Sequence, residues 1–452
     1  MSVSLRCASF GLLVGAVLLA PVRADMQAGF VAYEAGDYEA AFAEWLPVAE
    51  AGDLGAMFNV ALLYDYGLGV AENKAEAIRW YEAPAEAGNA VAQFSLATIF
   101  DYGDGVDEDD SVAFRWYLAA ARQADEQAQF NLGVMYANGE GVEKDLSAAH
   151  HWYKRSADLG FAPAQYNLGY AYDLGIGVDE DNALALRWYR RAADEMDADA
   201  TYAIALMHDE GDGIEQDDVA AMEWYRRAAL LGNEKAQFNL AVIYDAGQVV
   251  PEDNESAVMW YRRAAMQAHT GAQLNLAIML EQGEGVEMNL TEALTWYRRA
   301  ADAGSAEAQY AIGLMYDEGR GVDEDNDVAL RWYRLSADQG DSDAQNNLGA
   351  MFDLGEGVEE NDTLAIHWYT LAANQGNATA QNNLGALYLT DTHAADHKVH
   401  AYKWFRIADS LGNRTGRENC IVSAQSMDPA DINRAEVLAA RWLAEFSAGT
   451  NH

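Results

Sequence analysis

The sequence predicts an all-α protein, a solenoid of antiparallel helix pairs laid in a row. Three observations predict it. Trp-Tyr recurs at Trp80, Trp116, Trp152, Trp188, Trp224, Trp260, Trp296, Trp332 and Trp368, and Trp404-Phe405 continues the series at the same 36-residue step. Alanine stands three residues before each of these tryptophans, from Ala77 to Ala401. A second alanine column runs in the same phase from Ala56 to Ala380. A fixed period of this kind marks stacked repeats, in which one hairpin cannot bury its own apolar face and each unit covers the next. The length of 452 residues agrees, because single cores stop growing at about 250–300 residues.

The elements follow from one unit, Ala164 to Ala193. Ala164, Leu168 and Tyr172 are spaced i, i+4, i+8, which is one face of a helix. Gly175-Ile176-Gly177-Val178 ends that helix, the first glycine suiting a left-handed C′ position. Asp181 then caps the second helix by accepting from free backbone amides. Its column reads Asn73, Asp109, Asp145, Asp181, Asp217, Asp253, Asn289, Asp325 and Asn361, all Asp or Asn. Ala185, Trp188 and Ala192 form the next apolar stripe. Each helix should be about 20 Å long at 1.5 Å per residue. The tryptophans are expected to be buried between units, so that a central Trp→Ala, such as at Trp224, costs ~3–5 kcal/mol.

The ends differ from the middle. Arg6, the apolar run Ala8 to Ala20 and the small residues of Val22-Arg23-Ala24 read as a signal peptide over residues 1–24, with cleavage after Ala24. The run is short for a membrane span, and no later stretch is apolar for long enough. The solenoid is expected over residues 25–412, opening with a hairpin from Gln27 to Ala51. Residues 413–452 are expected to be capping helices and tail. Asp428-Pro429 is a cap followed by an N1 proline, and a final helix to Phe446 would cover the last open face with Leu438, Trp442 and Phe446. Three places break the pattern. Val249 replaces the second turn glycine, Pro84 falls inside a predicted helix where a kink is expected, and Thr390 to His400 lacks the glycine turn.

Charge narrows the function classes. Against 29 Lys and Arg stand 72 Asp and Glu, a formal net charge of −43. Such a surface is a poor partner for nucleic acid or anionic membrane, which need clustered cations. Once residues 1–24 are removed, Cys420 is the one cysteine left, so no internal disulfide is expected and packing must supply the stability.

Ala164, Leu168, Gly169, Tyr172, Gly175, Gly177, Val178, Asp181, Ala185, Trp188, Tyr189, Ala192 and Ala193 together resemble the Sel1-like repeat, a relative of the tetratricopeptide repeat. The resemblance covers about residues 26 to 412. It implies a right-handed superhelix that acts as an adaptor in protein complexes. Exported bacterial members of the family resemble periplasmic regulators, envelope assembly scaffolds and host-interacting factors. Fold alone does not choose among these.

Four groups of residues are candidates for function. The first is an amide column, Asn131, Asn167, Asn239, Asn275, Asn347 and Asn383, beside the rings Phe130, Tyr166, Phe238 and Tyr310. By similarity to tetratricopeptide repeats these face a concave groove, where carboxamides bond an extended peptide and rings pack its side chains. The alternative is that the amides bond within and between helices. The second is an acidic column, Asp65, Asp101, Asp173, Asp209, Asp245, Asp317 and Asp353 with Glu281, one residue past the motif aromatic. At helix C-termini anions need compensation. The Arg pairs after the tryptophans, such as Arg190-Arg191, are one source of it, and a cationic partner is the other. The third is the acidic loops such as Asp179-Glu180-Asp181, which lack the spacing of a calcium loop. The fourth is His393, His397 and His400, weak candidates for a metal against the default of surface histidines.

No nucleophile turn, phosphate loop or dinucleotide fingerprint is present in the sequence. The reading is therefore a non-catalytic protein–protein interaction scaffold without cofactor. By the resemblance it is placed in the bacterial periplasm, as a regulator of a membrane sensor or an envelope assembly factor. Its expected partner is a protein or peptide on the concave surface, not nucleic acid, with no membrane insertion after signal removal. The alternative is a protein that binds or hydrolyses a cell-wall ligand, which would need a nucleophile or metal and a water-excluding pocket.

Overall fold

The computed structural model describes residues 22–390 and 396–449. Most of the expected signal segment and His393 lie outside the described residues. Among the described residues there are twenty-four helices and no strand. The pair read from the sequence is present as Ala162–Asp173 and Asn182–Asp194. Asp181 accepts a hydrogen bond from the Leu184 backbone N–H at 2.9 Å, and Asn73, Asp109, Asp145, Asp253, Asn289, Asp325 and Asn361 cap their helices in the same way. The leading helices carry a second cap column that the pattern search had not singled out. Asp53, Asn89, Asp125, Asp197, Asn233, Asp341, Asn377 and Asn413 each accept from the backbone three residues on, and Ser305 and His269 take the same role.

The turn between the two helices needs glycine for two reasons. Gly141 has φ +63°, and a Cβ there would sit 2.2 Å from the Asp110 carbonyl oxygen of the preceding trailing helix. The left-handed backbone and the close approach both exclude a side chain. Val249, which replaces this glycine, stays outside the left-handed region, so that turn takes a different path, as expected. Pro84 breaks nothing. The helix Lys74–Glu86 runs through it, because a proline in the last turn deprives a single carbonyl of its donor.

The helices gather into two compact units. The first runs to Asp217 and the second starts at Asp218. Within the first, the helices of each pair from Val22–Glu34 to Asn182–Asp194 pack together, each later leading helix also packs on the trailing helix of the pair before, and Ala198–Glu210 packs on Asn182–Asp194. Within the second, the helix Asp218–Leu230 packs on Glu234–Ala246 and the pairs then follow in the same nearest-neighbour order. At the end, Pro429–Gly449 packs on His397–Ser410. Asp428 accepts from the Ala430 N–H at 2.9 Å, Trp442 stacks on Phe446 at 4.9 Å and meets the Trp404 ring edge-on at 5.9 Å.

The core corrects one expectation. The aromatic residue that every hairpin buries is the tyrosine after the tryptophan. Tyr81, Tyr117, Tyr189, Tyr225, Tyr261, Tyr297, Tyr333, Tyr369 and Phe405 are all at most 2% exposed. Trp188, Trp260, Trp296, Trp368 and Trp404 are buried, but Trp80, Trp116, Trp152, Trp224 and Trp332 are half-buried. The tyrosine enters the hairpin, where Tyr189 meets the backbone of Gly169 and the ring of Tyr166 at 5.8 Å. The indole lies nearer the rim, where an arginine three residues on covers it. Arg191, Arg227, Arg263 and Arg299 stand 4.5, 4.2, 4.5 and 4.6 Å from their indole centroids. A guanidinium over an indole face gains cation–π attraction while its stem shields apolar area.

Candidate partner-binding surface

In several repeats the leading helix places a ring and an amide side by side, as at Phe130-Asn131, Tyr166-Asn167 and Phe238-Asn239. Phe130 lies 5.8 Å from Tyr153 and meets Phe161 edge-on at 5.4 Å. Tyr166 stacks on Tyr170, and Phe238 stacks on His269 at 4.4 Å while lying 5.8 Å from Tyr261. Tyr310 stands 5.8 Å from Tyr333. Phe58 and Phe94 hold the same register against Tyr81 and Tyr117, Phe58 beside Asn59 and Phe94 beside Ser95, and the sequence reading did not single them out. All these rings are half-buried, as are Asn131, Asn167, Asn239, Asn275, Asn347 and Asn383.

The amides have intramolecular partners. Asn275 Nδ2 donates to the Tyr261 hydroxyl at 3.0 Å, and Asn131, Asn167 and Asn347 bond Tyr117, Tyr153 and Tyr333 in the same sense. The tyrosine hydroxyl in turn donates a hydrogen bond to the acidic column. Tyr117, Tyr189, Tyr261 and Tyr333 donate to Asp101, Asp173, Asp245 and Asp317 at 3.0, 3.0, 3.1 and 2.9 Å. An amide of one repeat thus holds the tyrosine of the repeat before it, and that tyrosine holds a carboxylate. Toward the C-terminus the rings give way to more amides. Asn419 donates to Asn382 at 2.9 Å, Asn383 to Asn346 at 3.1 Å, and Asn346 to Asn347 at 3.1 Å.

This geometry corrects the expectation for the acidic column. The compensating group is mostly a tyrosine hydroxyl and not an arginine. Asp65 and Glu281 accept from Tyr81 and Tyr297 at 3.1 and 2.6 Å and have a cation as well, Lys74 at 2.9 Å and Arg320 at 2.7 Å. The arginines of the Trp-Tyr motif lie over the indoles instead. Electrostatics follow the burial. Desolvation pushes the Asp101, Asp173 and Asp353 carboxyls above their ordinary range, and the tyrosine hydrogen bond opposes that shift. Desolvation also pushes the Tyr153 and Tyr166 hydroxyls up to about 12.

A buried glutamine column carries the other inter-repeat bonds and was missed, since its members look like ordinary surface residues of a helix. Gln93, Gln129, Gln165, Gln237, Gln273, Gln309, Gln345 and Gln381 are buried and each donates to the carbonyl eight residues earlier. Four of them also accept from a glutamine thirty residues on. The recurrence of Gln at one phase, broken at Thr201, was the available signal.

Among the described residues no group of three His, Cys, Asp or Glu is arranged to hold a metal ion. His397 and His400 are half-buried, and His400 lies 5.5 Å from the Tyr388 ring. Burial first, and Lys403 next, lower the pKa of His400. Among the described residues no helix is long and apolar enough to cross a membrane.

Hairpins stacked in a row, with side chains at one register repeated along them, define a helical-repeat solenoid of the class that mediates protein–protein interaction. The chain belongs to the Sel1 repeat family, whose sequence model matches ten consecutive segments between residues 55 and 413. Among solved structures it is similar to c5321, a protective antigen present in uropathogenic Escherichia coli strains displaying an SLR fold. The two share 30% identity over 95% of this chain and 93% of that one, with a TM-score of 0.74. It is also similar to a Sel1 repeat protein from Oxalobacter formigenes, with 33% identity over 69% of this chain and 90% of that one and a TM-score of 0.52. No curated protein matches the sequence.

Proposed function

We propose that the protein is a non-catalytic scaffold that binds a protein or peptide partner along the leading-helix register of rings and amides. The observation that carries this is the repetition itself. Phe130, Tyr166 and Phe238, each followed by an Asn, and Tyr310 present half-buried rings and carboxamides at one phase of the repeat. An extended chain has a matching periodic backbone, and the amide oxygens of Asn131, Asn167 and Asn275 are oriented by the donation of their N–H to tyrosine. We place this scaffold in the bacterial periplasm, as a regulator of a membrane sensor or an assembly factor of the envelope. The apolar run of residues 8–20 and the bacterial relatives support that placement.

The test is affinity capture from the native cell with the intact chain. Specific envelope proteins should be enriched, and Asn131→Ala, Asn167→Ala and Asn275→Ala combined should weaken their capture. Because these amides also bond tyrosines, the melting temperature of the triple variant is measured alongside. Capture that is indifferent to the three changes in a folded variant rejects the register as the binding surface.

A further inference from the structure

The first unit holds a cationic cleft that stands against the charge of the chain. It measures about 510 Å³ and is lined by Lys154, Arg187, Arg190 and Arg191, with Tyr172, Leu184 and Trp188 as its apolar part and Asp158 as its one acid. Acids outnumber bases 72 to 29 in the whole sequence, so four bases against one acid reverses the prevailing balance. Lys154 and Arg191 both approach the Trp188 ring, at 5.2 and 4.5 Å, which brings two like charges to a single indole. Asp158 pairs with Lys154, whereas Arg187, Arg190 and Arg191 are exposed and have no carboxylate within ion-pair distance.

The array supplies its own controls. One period on, the four basic positions read Arg190, Glu223, Arg226 and Arg227, and Glu223 pairs with Arg226. A further period on, Met259 takes the place of Arg187. No other frame of the array has all four positions occupied by Lys or Arg. The cleft is therefore particular to two neighbouring repeats of the first unit and does not come from the repeat pattern.

We propose that this cleft docks an acidic segment of a partner protein. Its Asp or Glu carboxylates would pair with Arg187 and Arg190, as Asp158 already does with Lys154, and a neighbouring apolar side chain would lie against Tyr172 and Leu184. Guanidinium forks suit carboxylates through paired N–H donors. The apolar part of the lining favours a peptide over a bare anion. The remote acids of the chain do not prevent this, since charges beyond about 8 Å are largely screened at physiological salt. The four bases of the cleft lie on trailing helices and none belongs to the ring-and-amide register, so either reading can fail without the other.

The experiment is a fluorescence anisotropy titration of the intact chain with the labelled peptide Leu-Glu-Glu-Leu-Glu and its Gln counterpart, at about 0.15 M salt. The acidic peptide should bind at least about tenfold more tightly than the Gln version, and Arg187→Glu with Arg190→Glu should remove that preference. Arg226→Glu, outside the cleft, should leave it unchanged, and circular dichroism should show all variants folded. Three outcomes of the titration overturn the proposal: no preference for the acidic peptide, an equal loss in Arg226→Glu, or displacement of the peptide by equimolar inorganic phosphate. Self-association that Arg187→Glu abolishes would also overturn it, since the chain's own acidic loops would then be the occupant.

Discussion

Tyrosine and tryptophan stand next to each other in nine of the ten repeats and do different work. Tyr261 is fully buried, donates to Asp245 and accepts from Asn275, while Trp224 is half-buried at the rim. Removal of a fully buried aromatic side chain costs ~3–5 kcal/mol through lost transfer energy and the cavity left behind. Tyr261→Ala should therefore cost this much in chemical denaturation, and Trp224→Ala roughly half of it, because the exposed part of the indole leaves no cavity. Tyr261→Phe isolates the hydroxyl. It strands the Asp245 carboxylate and should cost about 1–3 kcal/mol, with Asp245→Asn restoring part of the loss in the double variant. Equal costs for Tyr261→Ala and Trp224→Ala would contradict the division of roles.

At the scale of the element, each hairpin is closed by its caps and joined to the next by glutamine. Asp181→Ala removes the acceptor of the Leu184 N–H and should cost ~1 kcal/mol. The glutamine bonds give a prediction of the opposite sign. Gln267 donates to Gln237 at 2.9 Å, and Gln375 to Gln345 at 2.8 Å. At the equivalent place after Gln273 the chain has Ala303, and the buried Gln273 Oε1 has no partner. Ala303 has φ −81° and ψ 2°, close to the −85° and 1° of Gln375, and it lines an open space of about 320 Å³ beside Gln273. Ala303→Gln should complete the missing bond and raise stability by about 0.5–1.5 kcal/mol. An unchanged or lowered melting temperature in this variant would show that a solvent molecule already serves Gln273.

At the scale of the whole molecule, charge sets the response to pH and salt. A formal charge of −43 makes the folded chain repel itself. Burial holds the Asp101, Asp125, Asp173, Asp197 and Asp353 carboxyls above their ordinary range, while hydrogen bonds shift Asp253 and Glu292 the other way. A group whose pKa is raised on folding binds its proton more tightly in the native state, so its contribution is present at low pH and is lost as pH rises through the folded value. Repulsion and burial thus act in the same direction. The melting temperature should climb as pH falls from neutral toward the carboxylate range, and should climb with added salt at neutral pH. The tyrosines act at the other end. Tyr153, Tyr166 and Tyr310 are held at about 12, so stability should fall as pH rises from the ordinary tyrosine value of about 10 toward 12. Thermal melts across pH check both limbs, and a melting temperature that drops steadily on mild acidification would contradict the first.

Fold class, period, trailing-helix caps and turn glycines were all legible in the amino-acid order. Each of these is a local property, a spacing along one helix or a φ that one residue type accepts, and the 36-residue recurrence makes a local reading valid in every unit. Which aromatic residue is innermost was decided only in three dimensions. Adjacent Trp and Tyr are equally apolar by pattern, and the difference lies in which of them meets the Gly or Ala of the leading helix. The same holds for the partner of the acidic column, since an Asp and a Tyr sixteen residues apart on two different helices share no spacing rule. The cationic cleft is of this kind too. Lys154 and Arg187 lie on trailing helices of successive repeats, and stacking alone makes them neighbours.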